Sequence, residues 1–228
     1  MSGSLAKTRP PALADDTRSK LIDAAGEVFA QSGFRAATVR EICARAGVNI
    51  ALVNYYFGDK LELYTEVLRH SAGASGNGII KQAIDSAAPP EEALRELIHA
   101  MLLRVCRTDR PGWHFRLMMH EFAQPTPAMT AVIEETMRPV YDRFRQLISL
   151  MTQLTPENDE VRLVTHSVIA QVVHYVHARH IIAAVWPDLE LTPERIEQIS
   201  AHIADFSLAG IRQLRQRRRK ESRGLWRK

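Results

Sequence analysis

The segment TVREICARAGVNIALVNYYFGDK, residues 38–60, decides the fold that this chain is expected to adopt. Thr38 suits a helix N-cap, because its hydroxyl can accept a hydrogen bond from an unpaired amide of the first turn. Apolar residues follow at helical spacing, and Gly47 can take the positive φ that a sharp reversal after a helix requires. A second short helix begins at Asn49 or Ile50. The segment therefore predicts two helices joined by a tight turn, a helix-turn-helix unit.

This segment and the helix before it resemble the N-terminal domain of TetR-type transcriptional regulators. The residues that carry the resemblance are residues 24–29, Gly33, Phe34, Thr38, Ile42, Ala46, Gly47, Val48, Tyr56, Phe57, Lys60 and Leu63. Residues 111–129 (PGWHFRLMMHEFAQPTPAM) and 48–58 (VNIALVNYYFG) are similar to the CecR-type subgroup, whose members regulate efflux and transport functions. The resemblance implies a ligand-responsive, homodimeric DNA-binding regulator that is not an enzyme.

The second helix of the unit is the predicted DNA-reading helix. Ile50 and Ala51 would allow close approach to the major groove and contact with a thymine methyl, and Asn54 can pair with adenine in bidentate fashion. By the family resemblance, several neighbours contact phosphates, which position a protein without specifying sequence. Two structural alternatives remain open: Asn49 as an N-cap and Tyr56 as a core residue. The predicted DNA-binding residues are Thr38, Arg40, Asn49, Ile50, Ala51, Asn54, Tyr55, Tyr56 and Lys60.

Composition is ordinary for a globular protein, with 46% hydrophobic and 25% charged residues in 228. Residues 212–228 hold nine lysines and arginines and one acid, which leaves 21 basic and 25 acidic residues in the rest of the chain. The positive formal net charge of +4 therefore comes from this tail alone. The DNA-binding prediction rests on the helix-turn-helix motif and not on the charge. Two cysteines and the absence of an apolar leader favour a cytoplasmic protein.

No alternation of apolar and polar residues with hairpin turns is visible, so the predicted fold class is all-α. We expect four parts: a flexible arm at 1–14, a three-helix helix-turn-helix domain at 15–64, a larger helical effector-binding and dimerisation domain at 65–211, and a basic tail at 212–228. Within the third part, a long helix over 127–154 should be kinked at Pro139. The tail is either solvated or binds DNA backbone, RNA or anionic lipid.

The last two helices of the third part predict a dimer interface. Residues 161–186 are apolar on more than one side and should be buried on more than one side. Arginines and histidines interrupt them, which argues against a membrane span and a membrane partner. Pairing with copies of these helices would give a four-helix bundle, and a monomeric core is the alternative. The predicted interface residues are Val168, Val172, Tyr175, Ile196, Ile199, Ile203, Phe206 and Gly210.

A set of methionines, aromatics and histidines in the middle of the chain has two interpretations. Such residues are mostly core, but methionine also lines adaptable binding sites. The family resemblance implies that the middle helices enclose a cavity for a small apolar or aromatic effector. The predicted effector residues are Met101, Trp113, His114, Phe115, Met118, Met119, Phe122, His174 and His177.

A competing function is a metal-dependent enzyme. His174, His177 and His180 recur at steps of three, so neighbouring pairs share a helix face, and His114 and His120 could join them. They lack the glutamate of a His-Glu-x-x-His motif, and we predict neither a metal nor a cofactor. The sequence as a whole favours a repressor that releases a pseudo-palindromic operator in double-stranded DNA when its effector binds. Its expected targets are efflux or transport genes. An activator, or a regulator that answers a protein partner, is the alternative within this class.

Overall fold

The computed structural model of the chain describes residues 11–72, 78–106 and 112–225, and their regular elements are all helices. The all-α prediction is confirmed. A single π-helical turn, Ile133–Met137, separates the eighth helix from the ninth. In chain order the helices are α1 (Pro11–Ala36), α2 (Val39–Ala46), α3 (Ile50–Phe57), α4 (Lys60–Ser71), α5 (Gly78–Ile84), α6 (Pro90–Val105), α7 (Trp113–Ala123), α8 (Pro127–Val132), α9 (Arg138–Thr152), α10 (Asp159–His177), α11 (Arg179–Val185) and α12 (Pro193–Leu225).

These helices form two compact units. The N-terminal unit takes its residues from Met1–Ser75 and Arg110–Thr136, and the C-terminal unit takes its residues from Gly76–Asp109 and Met137–Lys228. The predicted division at 64/65 falls inside α4, and α7 and α8 belong to the same compact unit as the helix-turn-helix. Residues 11–14 of the predicted arm begin α1, and residues 1–10 lie outside the described residues.

In the N-terminal unit, α1 is the central element and packs against α2, α4 and α7. Leu21, Val28 and Phe29 of α1 are buried at helical spacing, as the apolar pattern requires. Gly33 breaks the helical geometry of α1 near its end, with a φ of 72°. Trp113 of α7 is 2% exposed, and its ring lies directly on the backbone at Gly26. This glycine therefore allows α1 and α7 to approach closely.

In the C-terminal unit, α5, α6, α9, α10 and α12 surround one apolar core. The basic tail predicted at 212–228 continues α12 as a helix as far as Leu225, and Arg212, Arg217 and Arg219 are exposed on it. The apolar stripe of α12 continues through Ile211 and Leu214, which are buried. The Arg212 guanidinium donates to Glu91 at 2.5 Å. Residues 226–228 lie outside the described residues.

Glutamates at the starts of two helices hold this part of α12. Glu91 lies in the first turn of α6, and Glu160 lies in the first turn of α10 and accepts hydrogen bonds from Arg217 and Arg218. The Arg212 guanidinium also lowers the pKa of the Glu91 carboxyl. The charged run therefore folds because its arginines have carboxylate partners and its apolar residues reach the core.

The long helix predicted over 127–154 is interrupted by the π-helical turn and not by a simple kink. Proline lacks an amide hydrogen, and its ring would clash with the carbonyl four residues earlier in a regular α-helix. For Pro139 that carbonyl belongs to Glu135, inside the π-helical turn. The wider turn accommodates the proline. Arg69 of α4 binds both carboxylate oxygens of Glu135, with N–O distances of 2.6 and 2.7 Å.

Only one stripe of α10 is buried within a single molecule, so the predicted burial on more than one side would need a second molecule. Leu163 is 67% exposed, and no residue of α11 is buried. Within the described part of the chain, no single helix is long and apolar enough to cross a membrane. The segments Asp159–Tyr175 and Arg179–Val185 reach that length and apolarity only as a pair bent by 70°.

Candidate nucleic-acid interface

The two helices of the predicted motif are capped by side chains that the sequence places at their starts. The Thr38 hydroxyl accepts a hydrogen bond from the Glu41 amide at 3.1 Å, and Asn49 Oδ1 accepts one from the Ala51 amide at 2.9 Å. Gly47, with φ 67° and ψ 34°, ends α2 in the left-handed region. Asn49 therefore has the structural role that was its alternative interpretation. These local contacts fix the angle at which α3 leaves the turn.

The helix α3 has one buried and one exposed face. Val53 and Phe57 are buried between α3 and its neighbours α2 and α4. On the other face Ile50 is 45% exposed and Tyr55 is 78% exposed, although both have large apolar surfaces. Ala51 and Asn54 are exposed beside them. The structure thus brings these four predicted DNA-binding residues together on one accessible surface, which we call the reading face.

The remaining predicted contacts surround the reading face and are partly engaged. Tyr56 is half-buried, with its ring 5.0 Å from that of Tyr55. The Lys60 ammonium donates to the Arg35 carbonyl at 3.3 Å and lies 4.8 Å from the centre of the Phe34 ring. These two contacts hold the ammonium at the end of α1. Arg40 is exposed in the first turn of α2, close in the chain to the exposed Arg35.

A buried polar contact joins α4 to α7 behind the motif. The Tyr64 hydroxyl donates to Glu121 Oε1 at 2.5 Å, and the Thr126 amide donates to Glu121 Oε2 at 2.9 Å. Glu121 is 1% exposed. Burial, followed by the hydrogen bond to Glu121, raises the pKa of Tyr64 above its ordinary value.

Sequence reasoning missed this structural role of Glu121. The position of Glu121 in the apolar spacing of α7 is the sequence feature that indicates its burial. Glu121 follows Trp113 and Leu117 at steps of four, and both of these residues are buried. An acid on the buried stripe of a helix requires partners from another element.

The predicted effector residues fall in both compact units. In the N-terminal unit, Trp113 and His114 are buried, Phe115, Met118 and Met119 are half-buried, and Phe122 is exposed. In the C-terminal unit, Met101 is half-buried and His174 and His177 are exposed. Desolvation by neighbouring protein atoms lowers the pKa of His177, although its side chain remains accessible. The effector site remains a prediction, and the contact with Gly26 gives Trp113 a role in packing.

Two open pockets lie in the C-terminal unit, and none of the predicted effector residues lines either of them. The first has a volume of about 420 Å³ and includes Asp142, Arg143, Arg145 and Glu157. The second, of about 520 Å³, includes Gln82, Asp85, Glu96 and His99. Volumes of 300–1,000 Å³ are typical of small-molecule sites, but those sites are mostly lined by apolar side chains.

The predicted dimer residues divide by burial. Phe206 is 66% exposed, Gly210 is exposed and Tyr175 is half-buried. These three residues are the part of the predicted interface that a partner could reach, and the exposed Leu163, which was not predicted, lies on the same helix as Tyr175. The residues that pack into the core of their own chain are Val168, Val172, Ile196, Ile199 and Ile203. The apolar stripe of α12 thus packs into the core of its own chain. The residues that remain as a predicted interface are those on the exposed side of α10 and α12.

The histidines do not assemble into a metal site in the described part of the chain. Across residues 11–72, 78–106 and 112–225, no group of three or more His, Cys, Asp and Glu side chains could hold a metal ion. His174 is exposed, and the rings of His70, Trp113 and His114 stack on one another in the N-terminal unit.

A capped, turn-linked helix pair that exposes one face of its second helix defines a helix-turn-helix DNA-binding protein. Residues 21–67 match the family described as bacterial regulatory proteins, tetR family. Residues 90–211, more than half of the chain, match the C-terminal domain of the HTH-type transcriptional dual regulator CecR. The protein therefore belongs to the TetR family of transcriptional regulators and carries a CecR-type C-terminal domain. Both predicted resemblances are confirmed.

Known proteins agree with this assignment over most of the chain. CecR of Shigella flexneri is 29% identical over 216 residues, which span 87% of this chain and 94% of that protein. The structure of FadR from Bacillus subtilis in complex with stearoyl-CoA matches with a TM-score of 0.59 at 17% identity, covering 84% of this chain and 98% of the other. AibR in complex with isovaleryl coenzyme A and operator DNA matches with a TM-score of 0.60 at 18% identity, covering 83% and 97%. At these identities the two structures establish a shared fold.

Proposed function

We propose that this TetR-type regulator is a homodimeric repressor that binds a pseudo-palindromic operator through α3 and releases it when a small effector binds. The observation that carries the proposal is the reading face, where Ile50, Ala51, Asn54 and Tyr55 are accessible on a helix whose other face is buried. A helix of this kind fits the major groove, and a two-fold dimer presents two of them about one helical turn apart, or a multiple of that distance.

The experiment that tests the reading face is a gel-shift titration of the Asn54→Ala, Tyr55→Ala double variant on the DNA upstream of its own gene. Each base contact contributes about 1–3 kcal/mol, so we expect affinity to fall by at least about ten-fold. Both side chains are exposed, so the melting temperature should stay unchanged. Thr130→Ala, an exposed change in α8, is the matched control and should bind as the wild type does. Wild-type affinity in the double variant would refute the assignment of α3.

The exposed apolar side of α10 and α12 supports the dimer. Leu163 and Phe206 expose two-thirds of their surfaces to solvent in a single molecule. A hydrogen bond from the Gln171 amide to the Ser207 hydroxyl, at 3.4 Å, shows that α10 and α12 lie side by side at this level. Covering these side chains with the same face of a second molecule would give a two-fold, self-complementary interface.

A charge on this face should dissociate the dimer. For Leu163→Asp and Phe206→Asp, we expect a dimerisation constant at least about ten-fold weaker, because a buried unpaired carboxylate costs well over 1 kcal/mol. Analytical ultracentrifugation over a concentration series measures the change. Leu150→Asp, at an exposed leucine of α9, is the control that should remain dimeric. Dimers of unchanged stability in both interface variants would place the contact elsewhere.

The effector response deepens the proposal and is tested in the same gel-shift assay. The predicted small apolar or aromatic effector would favour a dimer state whose two reading helices no longer match the operator spacing, which couples the two sites. The FadR and AibR structures hold acyl-CoA thioesters, so short- and long-chain acyl-CoAs are the first compounds to test, followed by aromatic efflux substrates. Release of DNA at micromolar effector supports the proposal.

Activation is the second candidate, because the relative from Shigella flexneri is named a dual regulator. Deletion of the gene separates the two signs of regulation. Increased transcription of the adjacent efflux or transport genes is expected for a repressor, and decreased transcription would establish activation.

A further inference from the structure

We infer that α3 reads A·T base pairs only, so that the part of each operator half-site beneath it is an A·T core contacted in the major groove. This inference rests on the proposed function, in which α3 is the reading helix. It goes further by naming the base pairs that the reading face can recognise and those that it cannot.

The residue types that usually read a G·C pair are missing from α3. In the major groove, guanine O6 and N7 are read mainly by arginine or lysine, and the cytosine amino group is read by glutamate or aspartate. The sequence of α3 is IALVNYYF, which contains none of these four residues. The preferred side-chain partners of a G·C pair are therefore absent from the helix that would lie against the base edges.

The reading face carries an amide and hydrocarbon side chains, which suit the groups that an A·T pair presents in the major groove. The Asn54 side chain forms no hydrogen bond with the described part of the chain, so its donor and acceptor are both available to adenine N7 and N6. Ile50 and Ala51 present only hydrocarbon, and the apolar feature of the major groove is the C5 methyl of thymine. Contact with that methyl would bury the isoleucine surface that is now 45% exposed.

The spacing of these residues along α3 allows them to contact more than one base pair. Ile50 and Asn54 are four residues apart, as are Ala51 and Tyr55, so they form two neighbouring rows on one side of the helix. Ile50 lies one turn before Asn54, about 6 Å along the axis. This spacing lets a methyl contact and an amide contact fall on different base pairs of one half-site. The core should therefore contain more than one A·T pair.

The inference concerns only the base pairs beneath α3, because the cationic side chains near the reading face belong to other helices. Arg35 and Arg40 are exposed but belong to the end of α1 and the start of α2. Any guanine that they contact is therefore read from another helix and not by α3. The Lys60 ammonium is engaged by the Arg35 carbonyl and the Phe34 ring.

The test uses base analogues that remove one major-groove group at a time. Selection from randomised DNA first gives the half-site, and its A·T pairs are then replaced singly with 2′-deoxyuridine for thymidine or 7-deaza-adenine for adenine. At one or more positions, deoxyuridine should lower wild-type affinity about four-fold, the value of one buried methylene-sized group. At another position, 7-deaza-adenine should lower affinity about five-fold or more, because one arm of a bidentate pair is lost.

Matched variants assign each effect to its residue. The Ile50→Ala protein should no longer respond to deoxyuridine at the position that Ile50 contacts, and Asn54→Ala should no longer respond to 7-deaza-adenine. Both side chains are exposed, so the fold is expected to persist, and circular dichroism verifies this. A selected core of G·C pairs, or sequence-specific binding that is insensitive to every analogue, would overturn the inference and leave α3 as the DNA-binding element. Selection that returns no preferred sequence would instead overturn the proposed function.

Discussion

Replacing Gly26 with alanine is expected to destabilise the protein by about 1–3 kcal/mol, although alanine is the better helix former. An ideal Cβ at this position would lie 2.5 Å from Cζ3 of Trp113 and 2.6 Å from Cε3 and Cη2. The indole is rigid and 2% exposed, so it can move only if α7 moves with it. In an open helix interior the same change would stabilise by about 0.5–1 kcal/mol. A loss of stability in Gly26→Ala would therefore indicate the contact between Gly26 and Trp113, and a gain in stability would indicate its absence.

A double-mutant cycle with Trp113→Ala isolates this contact. Removing the indole leaves room for a methyl group, so Gly26→Ala in that background should recover its ordinary stabilising effect. Urea denaturation followed by far-UV circular dichroism gives the four free energies of unfolding. If Gly26→Ala stabilises the wild-type protein as well, the close approach of α1 and α7 does not exist in solution.

Replacing Glu121 with leucine is expected to cost about 1–3 kcal/mol for the buried Tyr64 hydroxyl that it leaves without an acceptor, and a smaller amount for the part-buried Thr126 amide. These donors are the Tyr64 hydroxyl and the Thr126 amide, which now bind the two oxygens of one carboxylate. Leucine is not smaller than glutamate, so the loss cannot come from a cavity. Thermal or urea denaturation measures it.

Two further variants grade the effect. Glu121→Gln keeps one carboxamide oxygen for two donors and should lose less than Glu121→Leu. His120→Leu, at the exposed neighbouring position, is the control and should change stability by less than about 0.5 kcal/mol. A Glu121→Leu protein as stable as the wild type would mean that the two donors find other partners, and the contact between α4 and α7 would then have no energetic role.

The DNA-binding motif could be predicted from the sequence because its determinants are local. The caps Thr38 and Asn49, the left-handed turn at Gly47 and the exposed row containing Asn54 are all set within a few residues of one another. Each of these features involves only neighbours along the chain, so no knowledge of distant packing is needed.

The features that could not be predicted depend on partners far away in sequence. A stripe such as Ile196, Ile199 and Ile203 indicates burial but not whether its own chain or a second copy covers it. The sequence does not reveal the partners of the basic tail at 212–228, because Glu91 and Glu160, the carboxylates that bind Arg212 and Arg218, lie at the starts of two other helices. Glu121 and Tyr64 are 57 residues apart. In each case the long-range partner decides the outcome.

The absence of charge on α3 separates two properties that many DNA-binding helices combine. Counterion release, which makes affinity fall with salt, comes only from residues that approach phosphates. In the proposed complex, the cations near the reading face that could approach phosphates are Arg35, Arg40 and Lys60, none of which belongs to α3. Substitutions on the reading face can therefore change which sequence is bound while the salt slope stays constant. During divergence, a regulator built in this way can acquire a new operator without losing its general hold on the double helix.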